Sequence, residues 1–408
     1  MSSPGRPVPA AFAWAEPLFT YGVTGTNGKT STCALIRACL RADGRHVLTV
    51  GTTGAFIDEQ QVPKGKTFAD FAALIERGKD AGCRDVVVET TSYGLKIGYA
   101  RKWRFDLGVF TNLSPDHLKT HGTWEDYLAA KAQLFLHLGP GQPMVLNAAD
   151  QYAGFIDQAT PKDVRRLWFR VPSRGPAVVT PDLEAASVTV DCGGTTIALA
   201  PSALADALGG TLAVKMVGEV FAENALAAAA ACLSAGVPPQ AVVRGLAECP
   251  GVPGRFEVLA RDPTVVVDYA HTPDALQRTC DTARAVATGA VIVVFGAGGG
   301  ATPQKRGPMG EAVARGADRM VITADNPRRE DPTAIANTIA QGARTVDGGA
   351  QVEIIVERRA AIEHAIAHAT AGDVVVIAGM GHERTQRIGD TDVPFSDRDE
   401  VLRITGGG

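Results

Sequence analysis

One glycine-rich segment constrains what this chain can fold into more than any other feature of its sequence. It stands between a short apolar run, Leu18 to Tyr21, and an apolar helical pattern at residues 33–40, and it reads Val23-Thr24-Gly25-Thr26-Asn27-Gly28-Lys29-Thr30. A strand, a glycine loop and a helix in that order direct backbone N–H groups and a helix N-terminus toward one point, which makes a cradle for phosphate. In such a loop Lys29 reaches the terminal phosphates and the Thr30 hydroxyl binds Mg²⁺.

An ordinary glycine-rich turn is the alternative for this segment. The strict Walker A pattern is not met, because Val23 stands at the usual first glycine position and the nearest glycine is Gly22. A Gly-Lys-Thr sequence between a strand and a helix is nevertheless hard to explain without a phosphate. We therefore expect a phosphate site made by Gly25, Thr26, Asn27, Gly28, Lys29 and Thr30.

Length and composition limit the classes of protein that this chain can belong to. Its 408 residues are enough for two or three domains, and 45% hydrophobic and 21% charged residues are typical of a globular protein with a large core. A net charge of -4 does not favour a nucleic-acid partner, and no apolar run is long enough for a membrane span. The N-terminus lacks a signal-peptide pattern, and seven scattered cysteines without metal-ligand spacing indicate reduced thiols, so we expect a cytoplasmic protein.

Apolar strand-like runs alternate with helical patterns in the first part of the chain. Strands are predicted at residues 45–50, 85–89 and 107–111, a helix at 71–79 and a loop at 58–68. Such alternation indicates a mostly parallel, doubly wound α/β sheet. Ligands of these sheets gather at the carboxyl ends of the strands, where Glu89 and Asn112 fall.

The second part of the chain repeats this alternation after a break. Residues 165–200 alternate apolar and polar side chains and predict an antiparallel insertion or edge. A strong helix is predicted at 221–234, and the Pro- and Gly-rich residues 250–254 mark a hinge or linker. Strands are then predicted at 265–268, 291–295, 320–324, 353–356 and 374–378. We therefore predict an N-terminal tail at 1–17, a central P-loop-type ATP-binding domain at 18–250 and a Rossmann-like α/β domain at 251–408.

Three further positions carry candidate chemistry. Glu89 ends a buried strand and could hold Mg²⁺, although strand-end acids also cap helices. The Asp116-His117 pair could bind a metal, or it could cap a short helix. Lys131 lies in an otherwise apolar helical run, where it is either a snorkelling side chain or, if carbamylated by CO₂, an oxygen ligand suited to a hard cation.

Together these segments resemble the Mur ligase family, most closely its branch of UDP-N-acetylmuramoyl-tripeptide synthetases. The resemblance extends from about residue 18 to the end of the chain. The runs that carry it are Gly25–Thr30, Glu89-Thr90-Thr91-Ser92-Tyr93-Gly94-Leu95, Phe110-Thr111-Asn112-Leu113-Ser114-Pro115-Asp116-His117-Leu118, Ala129-Ala130-Lys131, Asn224, Gly254-Arg255-Phe256-Glu257, Asp268-Tyr269-Ala270-His271-Thr272-Pro273, Asp325-Asn326-Pro327-Arg328 and Gly379-Met380-Gly381-His382-Glu383.

The resemblance implies an ATP-dependent ligase that converts a carboxylate to an acyl phosphate, which an amine then attacks to give an amide, ADP and phosphate. It implies that Thr30 and Glu89 hold one Mg²⁺ and that His117 and carbamylated Lys131 hold a second. By the same resemblance, Asn224 contacts adenine, and Arg255 and Asp268 approach the nucleotide. The substrate positions carried over are Thr91, Ser92, Tyr93 and Tyr99 for the acid and Asn326, Arg328, Gly379 and Glu383 for an amino acid of the diaminopimelate type.

This sequence departs from the family pattern in three places, all of which concern the substrates. A family domain that binds the uridine nucleotide is expected to be missing ahead of the phosphate loop. Ile97 and Tyr99 replace a Gln and an Arg that contact the muramyl group, and Ala301 replaces an arginine that contacts the amino-acid carboxylate. The residues expected to bind ATP are retained.

These departures leave three interpretations open. The leading one is an amide ligase acting on a smaller or carrier-bound carboxylic acid and an amino acid in specialised metabolism. The second is a cell-wall tripeptide synthetase whose UDP-binding domain is truncated or supplied by another chain. The third is a nucleotide-binding protein without turnover, against which the joint retention of Lys29, Glu89, His117 and Lys131 argues.

Overall fold

A mostly parallel sheet with the phosphate-loop strand at its centre organises the first part of the molecule. The computed structural model describes residues 10–114, 121–300 and 302–406. The chain divides into two compact units: the first contains Met1–Thr189, Gly193–Lys215 and Glu219–Pro250, and the second contains Val190–Cys192, Met216–Gly218 and Gly251–Gly408.

The sheet of the first unit has eleven strands within the described residues, in the order β11-β10-β9-β8-β7-β6-β1-β5-β2-β3-β4. Pairing is parallel from β2 through β5, β1, β6, β7 and β8 to β9. The strands are β1 (Phe19–Thr24), β2 (Val47–Gly51), β3 (Gly54–Ile57), β4 (Gln60–Val62), β5 (Asp85–Glu89), β6 (Leu107–Phe110), β7 (Pro143–Asn147), β8 (Arg165–Arg170), β9 (Leu183–Asp191), β10 (Gly194–Leu199) and β11 (Thr211–Val214).

Helices cover this sheet because their apolar faces need burial. In α2, for example, the Thr67 and Asp70 side chains form a capping box, and Phe71, Leu74 and Ile75 face the core. The helices of the first unit are α1 (Lys29–Ala42), α2 (Phe68–Asp80), α3 (Ser92–Lys96), α4 (Tyr99–Lys102), α5 (Trp124–Leu136), α6 (Ala153–Ala159), α7 (Ala203–Ala207), α8 (Glu219–Ser234) and α9 (Pro239–Glu248), with a 3₁₀ turn at Ala10–Ala15.

The second unit has its own six-stranded sheet within the described residues, in the order β12-β13-β17-β14-β15-β16. Only the β12–β13 pair is antiparallel among the described pairs of this sheet. Its strands are β12 (Glu257–Ala260), β13 (Thr264–Asp268), β14 (Val291–Phe295), β15 (Arg319–Ile322), β16 (Gln351–Ile354) and β17 (Val374–Ala378), and β18 (Thr385–Ile388) and β19 (Thr391–Pro394) form a separate hairpin. The helices are α10 (Pro273–Val286), α11 (Arg306–Gly316), α12 (Pro332–Ala343), α13 (Arg358–Ala367) and α14 (Asp397–Thr405).

The predicted α/β class is confirmed, and two local predictions are right only in part. Residues 58–68 are not simply a loop, because β4 lies within them and pairs with β3 as a hairpin. Residues 165–200 lie toward one edge of the sheet, where β10 pairs antiparallel with β11, but β8 pairs in parallel with both β7 and β9. Alternating polarity shows that a strand has one buried face, but it carries no information on the direction of its partner.

Candidate functional site

The phosphate loop joins β1 to α1 through two glycines that leave no room for a side chain. Gly28 is the N-cap of α1 and has a φ of 83°, a left-handed conformation that favours glycine. A Cβ atom on Gly28 would lie 2.4 Å from Oδ1 of Asn224, and one on Gly25 would lie 1.9 Å from Oγ1 of Thr111. The loop is therefore closely packed against α8 and the end of β6, with the N-terminus of α1 beneath it.

Asn112 fixes the shape of this loop from the end of β6. Its side-chain oxygen accepts a 2.9 Å hydrogen bond from the Asn27 N–H, and its side-chain amide donates to the Asn27 carbonyl at 3.2 Å. Its own carbonyl accepts from the Thr26 N–H at 2.8 Å. Sequence reasoning placed Asn112 at a strand end but assigned it no role, because a residue that anchors backbone carries no chemical signature of its own.

Three oxygen-bearing side chains meet at the ends of β2 and β5. The Thr30 hydroxyl donates to Oε2 of Glu89 at 3.1 Å, and the same oxygen accepts from the Thr52 N–H and hydroxyl at 2.9 and 3.0 Å. Glu89 is buried. Hydroxyl and carboxylate oxygens are the donors that Mg²⁺ prefers, so Thr30 and Glu89 fit the predicted cation. Thr52 belongs to the same cluster and was not predicted.

Lysines contact the phosphate loop from two sides. Lys29 donates through Nζ to the Thr26 carbonyl at 2.8 Å. Lys131, on α5, is only 1% exposed, donates through Nζ to the Gly25 carbonyl at 2.6 Å and lies 4.5 Å from the centre of the Tyr127 ring. The snorkelling alternative for Lys131 is thus wrong, because its amine points at the loop. His117, its predicted partner, lies outside the described residues.

The predicted acid-binding residues divide into two groups. Thr91, Tyr93 and Tyr99 line a cavity of about 300 Å³ against the ends of β2 and β5, and Glu89 lines it too. Ser92 is buried, and its hydroxyl lies 2.9 Å from Nε2 of His121. Three of the four residues therefore share one cavity with the candidate cation site.

In the second unit, Asn326, Arg328 and Glu383 line a wider cavity of about 720 Å³. The Asn326 amide donates to Oε2 of Glu383 at 2.8 Å, and burial raises the pKa of the Glu383 carboxyl, which that bond opposes. Arg328 has a φ of 55°, and Arg387 and Gly389 hold its backbone by hydrogen bonds of 3.0 and 2.7 Å. This cavity offers both positive and negative groups to a ligand.

Gly379 serves close packing in this unit. Its φ is 113°, and a Cβ atom there would lie 2.4 Å from Oδ2 of Asp325. Glycine is thus required where β17 ends beside the segment that carries Asn326. Ala301, the position of a predicted departure, lies outside the described residues.

The predicted nucleotide contacts of the second unit lie near its β13. Asp268 accepts hydrogen bonds from the backbone N–H groups of Phe256 and Tyr269 and from the Thr279 hydroxyl, at 3.2, 2.7 and 2.5 Å. Burial raises the pKa of the Asp268 carboxyl. The Arg255 guanidinium lies 4.4 Å from the centre of the Tyr269 ring. Both side chains are held in place by neighbours, and their contact with a nucleotide stays a prediction.

Two family models account for most of the chain. The model for the Mur ligase middle domain matches residues 23–232, and the model for the Mur ligase glutamate ligase domain matches residues 254–381. The chain belongs to the Mur ligase family. It is therefore an ATP-dependent carbon–nitrogen ligase, and members of this family use ATP and Mg²⁺ to couple a carboxylate to an amino acid or peptide.

Among the relatives of this Mur ligase are UDP-N-acetylmuramoyl-L-alanyl-D-glutamate–2,6-diaminopimelate ligases. The enzyme of Bacillus cereus is 35% identical over 97% of this chain and 81% of its own length. The enzyme of Streptomyces coelicolor is 38% identical over 97% of this chain and 78% of its own length. A solved structure of a ligase with this name has a TM-score of 0.67 at 33% identity, covering 96% of this chain and 78% of the other.

The fold of this Mur ligase is shared more widely. Folylpolyglutamate synthase of Mycobacterium tuberculosis has a TM-score of 0.70 at 19% identity, covering 90% of this chain and 89% of the other. At that identity the likeness concerns the fold alone. Within the described residues, no helix is both long and apolar enough to cross a bilayer.

Proposed function

We propose that this Mur ligase joins 2,6-diaminopimelate, or an amino acid with the same charged ends, to the glutamyl carboxylate of UDP-N-acetylmuramoyl-L-alanyl-D-glutamate in peptidoglycan synthesis. The observation that carries the proposal is the 720 Å³ cavity that Asn326, Arg328 and Glu383 line. An amino acid with a carboxylate and an ammonium group needs an arginine and a carboxylate within one cavity. The relatives whose names include this reaction match nearly the whole chain, which supports the cell-wall interpretation over specialised metabolism.

The proposed chemistry has two steps. An oxygen of the substrate carboxylate attacks the γ-phosphorus of ATP, the bond to the β-phosphate oxygen breaks, and ADP leaves with the electron pair. The amine then attacks the carbonyl carbon of the acyl phosphate, and the amide forms as phosphate departs and the nitrogen loses a proton. Both reactants of the first step are anions, so they meet only where cationic groups reduce their repulsion.

Each residue of the first unit has a proposed task in that step. The N–H groups of the phosphate loop and Lys29 hold the β- and γ-phosphates, and Asn112 keeps the loop in shape for them. Thr30 and Glu89 hold Mg²⁺, which when bound neutralises phosphate charge. Asn224, packed against Gly28, contacts adenine in this proposal.

Carbamylated Lys131 and His117 are proposed as holders of a second cation. The burial of Lys131 against the loop supports this proposal, because a carbamate there would place anionic oxygens beside the phosphates rather than in solvent. In the second unit, Arg255 and Asp268 are proposed to contact the nucleotide, since both lie where β13 ends, the edge at which α/β sheets bind ligands.

A compact or carrier-bound acid is a second candidate for the carboxylate substrate. Tyr93 and Ile97 are 58% and 44% exposed, and both line the 300 Å³ cavity beside Glu89. Exposed apolar side chains around a cavity favour an apolar ligand over an anionic nucleotide sugar.

The deciding experiment measures ADP release and product mass with UDP-N-acetylmuramoyl-L-alanyl-D-glutamate and either diaminopimelate or lysine. We expect saturable turnover that depends on diaminopimelate and gives a product heavier by one amide-linked diaminopimelate. Turnover with neither amine, or a preference for lysine, would overturn the proposed amine. If the enzyme turns over a small acid but not UDP-N-acetylmuramoyl-L-alanyl-D-glutamate, the second candidate is favoured.

A further inference from the structure

Glu223 is a buried carboxylate to which the proposed chemistry gives no task. It lies on α8, where residues 221–232 are all buried and Glu223 carries the only charge of that run. A buried carboxylate is costly unless partners compensate its charge and satisfy its oxygens. Nε of the half-buried Arg174 lies 3.5 Å from Oε2 of Glu223, which compensates the charge from the outer side. The other oxygen, Oε1, is directed into the unit.

Asn147, the last residue of β7, connects Oε1 of Glu223 to the end of β6. Its Nδ2 donates to Oε1 of Glu223 at 3.2 Å and to the Thr111 carbonyl at 2.8 Å. Its Oδ1 accepts from the Ala149 N–H at 2.9 Å, and the side chain is buried. Since the amide nitrogen only donates and the oxygen only accepts, all of these bonds form in one orientation of the amide. Glu223 therefore stabilises the orientation in which Asn147 binds Thr111.

Thr111 connects Asn147 to the phosphate loop. The Thr111 hydroxyl donates to the Asn27 carbonyl at 2.6 Å, and the Thr111 N–H donates to the Thr24 carbonyl at 3.0 Å. Thr111 is buried, as are Asn147 and Glu223. The hydrogen bonds therefore run in series from Glu223 through Asn147 and Thr111 to the loop.

The Asn27 carbonyl determines the direction of the next N–H group of the loop. It accepts from the Thr111 hydroxyl and, at 3.2 Å, from the Asn112 amide. The C=O and N–H groups of a planar trans peptide point in opposite directions. The Gly28 N–H is therefore directed away from β6, and it is one of the loop donors that are proposed to hold phosphate.

Asn224, the residue after Glu223, contacts the same loop directly. A Cβ atom on Gly28 would lie 2.4 Å from Oδ1 of Asn224, which accepts from the Thr32 hydroxyl at 3.4 Å. Consecutive residues of α8 thus support the Asn27–Gly28 peptide, one by contact and one through the series. A displacement of α8 would disturb both supports, whereas loss of the Glu223 carboxylate would disturb only the second.

We propose that Glu223 is a positioning residue for ATP, which holds the Asn27–Gly28 peptide through Asn147 and Thr111 in the orientation that binds phosphate. The proposal rests on the part of the proposed function that assigns the ATP phosphates to this loop, and it is independent of which acid and amine are joined. Donors that are oriented before a ligand arrives bind it without a cost of reorganisation. The carboxylate thus raises the affinity for phosphate without touching the nucleotide.

ADP and adenosine are the probes, and calorimetry on the full chain in the presence of Mg²⁺ measures their binding. ADP carries phosphates and adenosine carries none, so the loop contributes to the affinity for ADP alone. We expect Thr111→Val to weaken ADP binding by about 3- to 10-fold, the scale of one hydrogen bond. Glu223→Leu should weaken it by about threefold or more on the same scale. Glu223→Gln keeps an acceptor for Asn147 and should recover most of that loss.

Adenosine binding shows whether the effect is confined to the loop. In each of these variants it should stay within about twofold of wild type. Equal weakening of ADP and adenosine binding in Glu223→Leu would indicate a displaced α8 and would overturn the positioning role.

Thr160→Val and Glu248→Leu are the matched controls. Thr160 is buried after α6, and its hydroxyl donates to the Ile156 carbonyl at 2.7 Å, so the variant removes a buried hydroxyl outside the series. Glu248 is exposed on α9. Both variants should bind ADP as wild type does, and weaker ADP binding in Thr160→Val would overturn the assignment of the Thr111→Val effect to the loop.

A double variant tests whether the contacts act in series. If Glu223 acts through Thr111, then Thr111→Val combined with Glu223→Leu should bind ADP no more weakly than Thr111→Val alone. Additive losses would show that the two residues act independently, which overturns the series.

Asn147→Ala keeps the proposal testable if Glu223→Leu does not fold. This variant removes the link and leaves the Glu223–Arg174 ion pair in place. It should weaken ADP binding as Thr111→Val does, with adenosine binding unchanged. Wild-type affinity for ADP in Asn147→Ala would overturn the proposal.

Lys29→Met distinguishes failure of this proposal from failure of the proposed function. Lys29 is proposed to hold the phosphates itself, so this variant should weaken ADP binding and leave adenosine binding unchanged. If Lys29→Met weakens ADP binding and the variants of the series do not, the positioning role is overturned and the proposed function stands. If neither Lys29→Met nor Thr111→Val weakens ADP binding, the loop is not the phosphate site and both proposals are overturned.

Discussion

The Thr30 hydroxyl donates a 3.1 Å hydrogen bond to Oε2 of Glu89, although the two residues are 59 positions apart in the sequence. The parallel pairing of β1 with β5 brings them together, because it sets Val23 opposite Glu89 and so places the phosphate loop beside the end of β5. The sheet thus joins the proposed cation ligand of the loop to a carboxylate that also lines the 300 Å³ cavity. In the proposed function, the substrate carboxylate and the γ-phosphate therefore meet within the first unit of the chain.

Glu89→Gln should abolish most of the turnover. The amide keeps the size of the side chain but removes the negative charge that the proposed Mg²⁺ site needs, a change worth several kcal/mol in such sites. We expect kcat to fall by about 100-fold or more, with partial recovery at high Mg²⁺. Steady-state ADP release over a range of Mg²⁺ concentrations measures this. Glu76→Gln, at an exposed position of α2, is the control, and wild-type kcat in Glu89→Gln would disprove the role.

Lys131→Ala should lose activity that small carboxylates restore in part. If Lys131 acts as a carbamate, acetate or formate can enter the space that the side chain leaves and supply the missing anionic oxygens. ADP release is measured with and without added acetate. The mass of the intact wild-type protein in bicarbonate is measured as well, to detect the carbamate. Activity restored by methylamine rather than acetate would show instead that the ammonium, donating to the Gly25 carbonyl, is the functional form.

Arg328→Ala should raise the KM for the amino acid far more than the KM for ATP. The guanidinium is proposed to bind a substrate carboxylate, and losing a charged hydrogen bond costs about 1.5–3 kcal/mol, or about 10- to 150-fold. Arg344→Ala, at an exposed position that follows α12, is the control for removing an arginine. Equal increases in both KM values would indicate that Arg328 has a structural role instead. Its left-handed backbone conformation is compatible with such a role.

The sequence predicts the phosphate loop and the α/β class well because both have local signatures. Glycine spacing marks the loop, and buried apolar runs of five residues mark strands. The strand predicted at Asp85–Glu89, for example, has the same bounds in the structure. The sequence does not predict the roles of Asn112 and Thr52, because their hydrogen bonds form only where the ends of neighbouring strands meet in the folded sheet. It also misses α3 and α4, which are too short for helical periodicity and yet form one side of the cavity.

Asp106 should make the protein less stable as the pH rises from about 4 to 7. Burial raises the pKa of its carboxyl from 3.8 to about 6, against the opposing effects of Arg104 and the Thr20 N–H. Because the folded state holds the proton more tightly, this contribution is complete below the unfolded pKa and is lost as the pH passes through about 6. This difference between the folded and the unfolded pKa of Asp106 corresponds to about 3 kcal/mol in the free energy of unfolding.

Thermal unfolding of Asp106→Asn and wild type between pH 4 and 7 measures this effect. The asparagine is neutral throughout, so the variant should gain on the wild type as the pH rises. Asp318→Asn is the opposite control: burial raises the pKa of Asp318, but the Val291 N–H and Arg284 outweigh it and leave that pKa lowered. Its stabilisation is complete above the ordinary pKa of 3.8 and is lost only below that value, so the difference between Asp318→Asn and wild type should stay constant from pH 4 to 7. A constant difference between Asp106→Asn and wild type would contradict the raised pKa.

Arg358 and Asp397 form a fully buried ion pair, with Nε and Nη2 donating to the two carboxylate oxygens at 2.7 Å each. The same guanidinium donates to the carbonyls of Ala324 and Ala378, at 3.2 and 2.9 Å. These carbonyls immediately precede the segments that carry Asn326 and Glu383. The pair therefore supports both sides of the proposed amino-acid site from beneath.

Removing one partner leaves the other charge buried and unpaired, so Arg358→Met and Asp397→Leu should each lower the free energy of unfolding by about 3–5 kcal/mol. The double variant removes both charges and should lose less than the sum of the two single variants. The Ala324 and Ala378 carbonyls still lose the Arg358 guanidinium as a donor, so the KM for the amino acid should rise even where stability recovers. Chemical unfolding of the four proteins, with amine kinetics on the folded ones, measures both effects. Additive losses of stability, or an unchanged KM in the double variant, would show that the pair supports neither the core nor the site in this way.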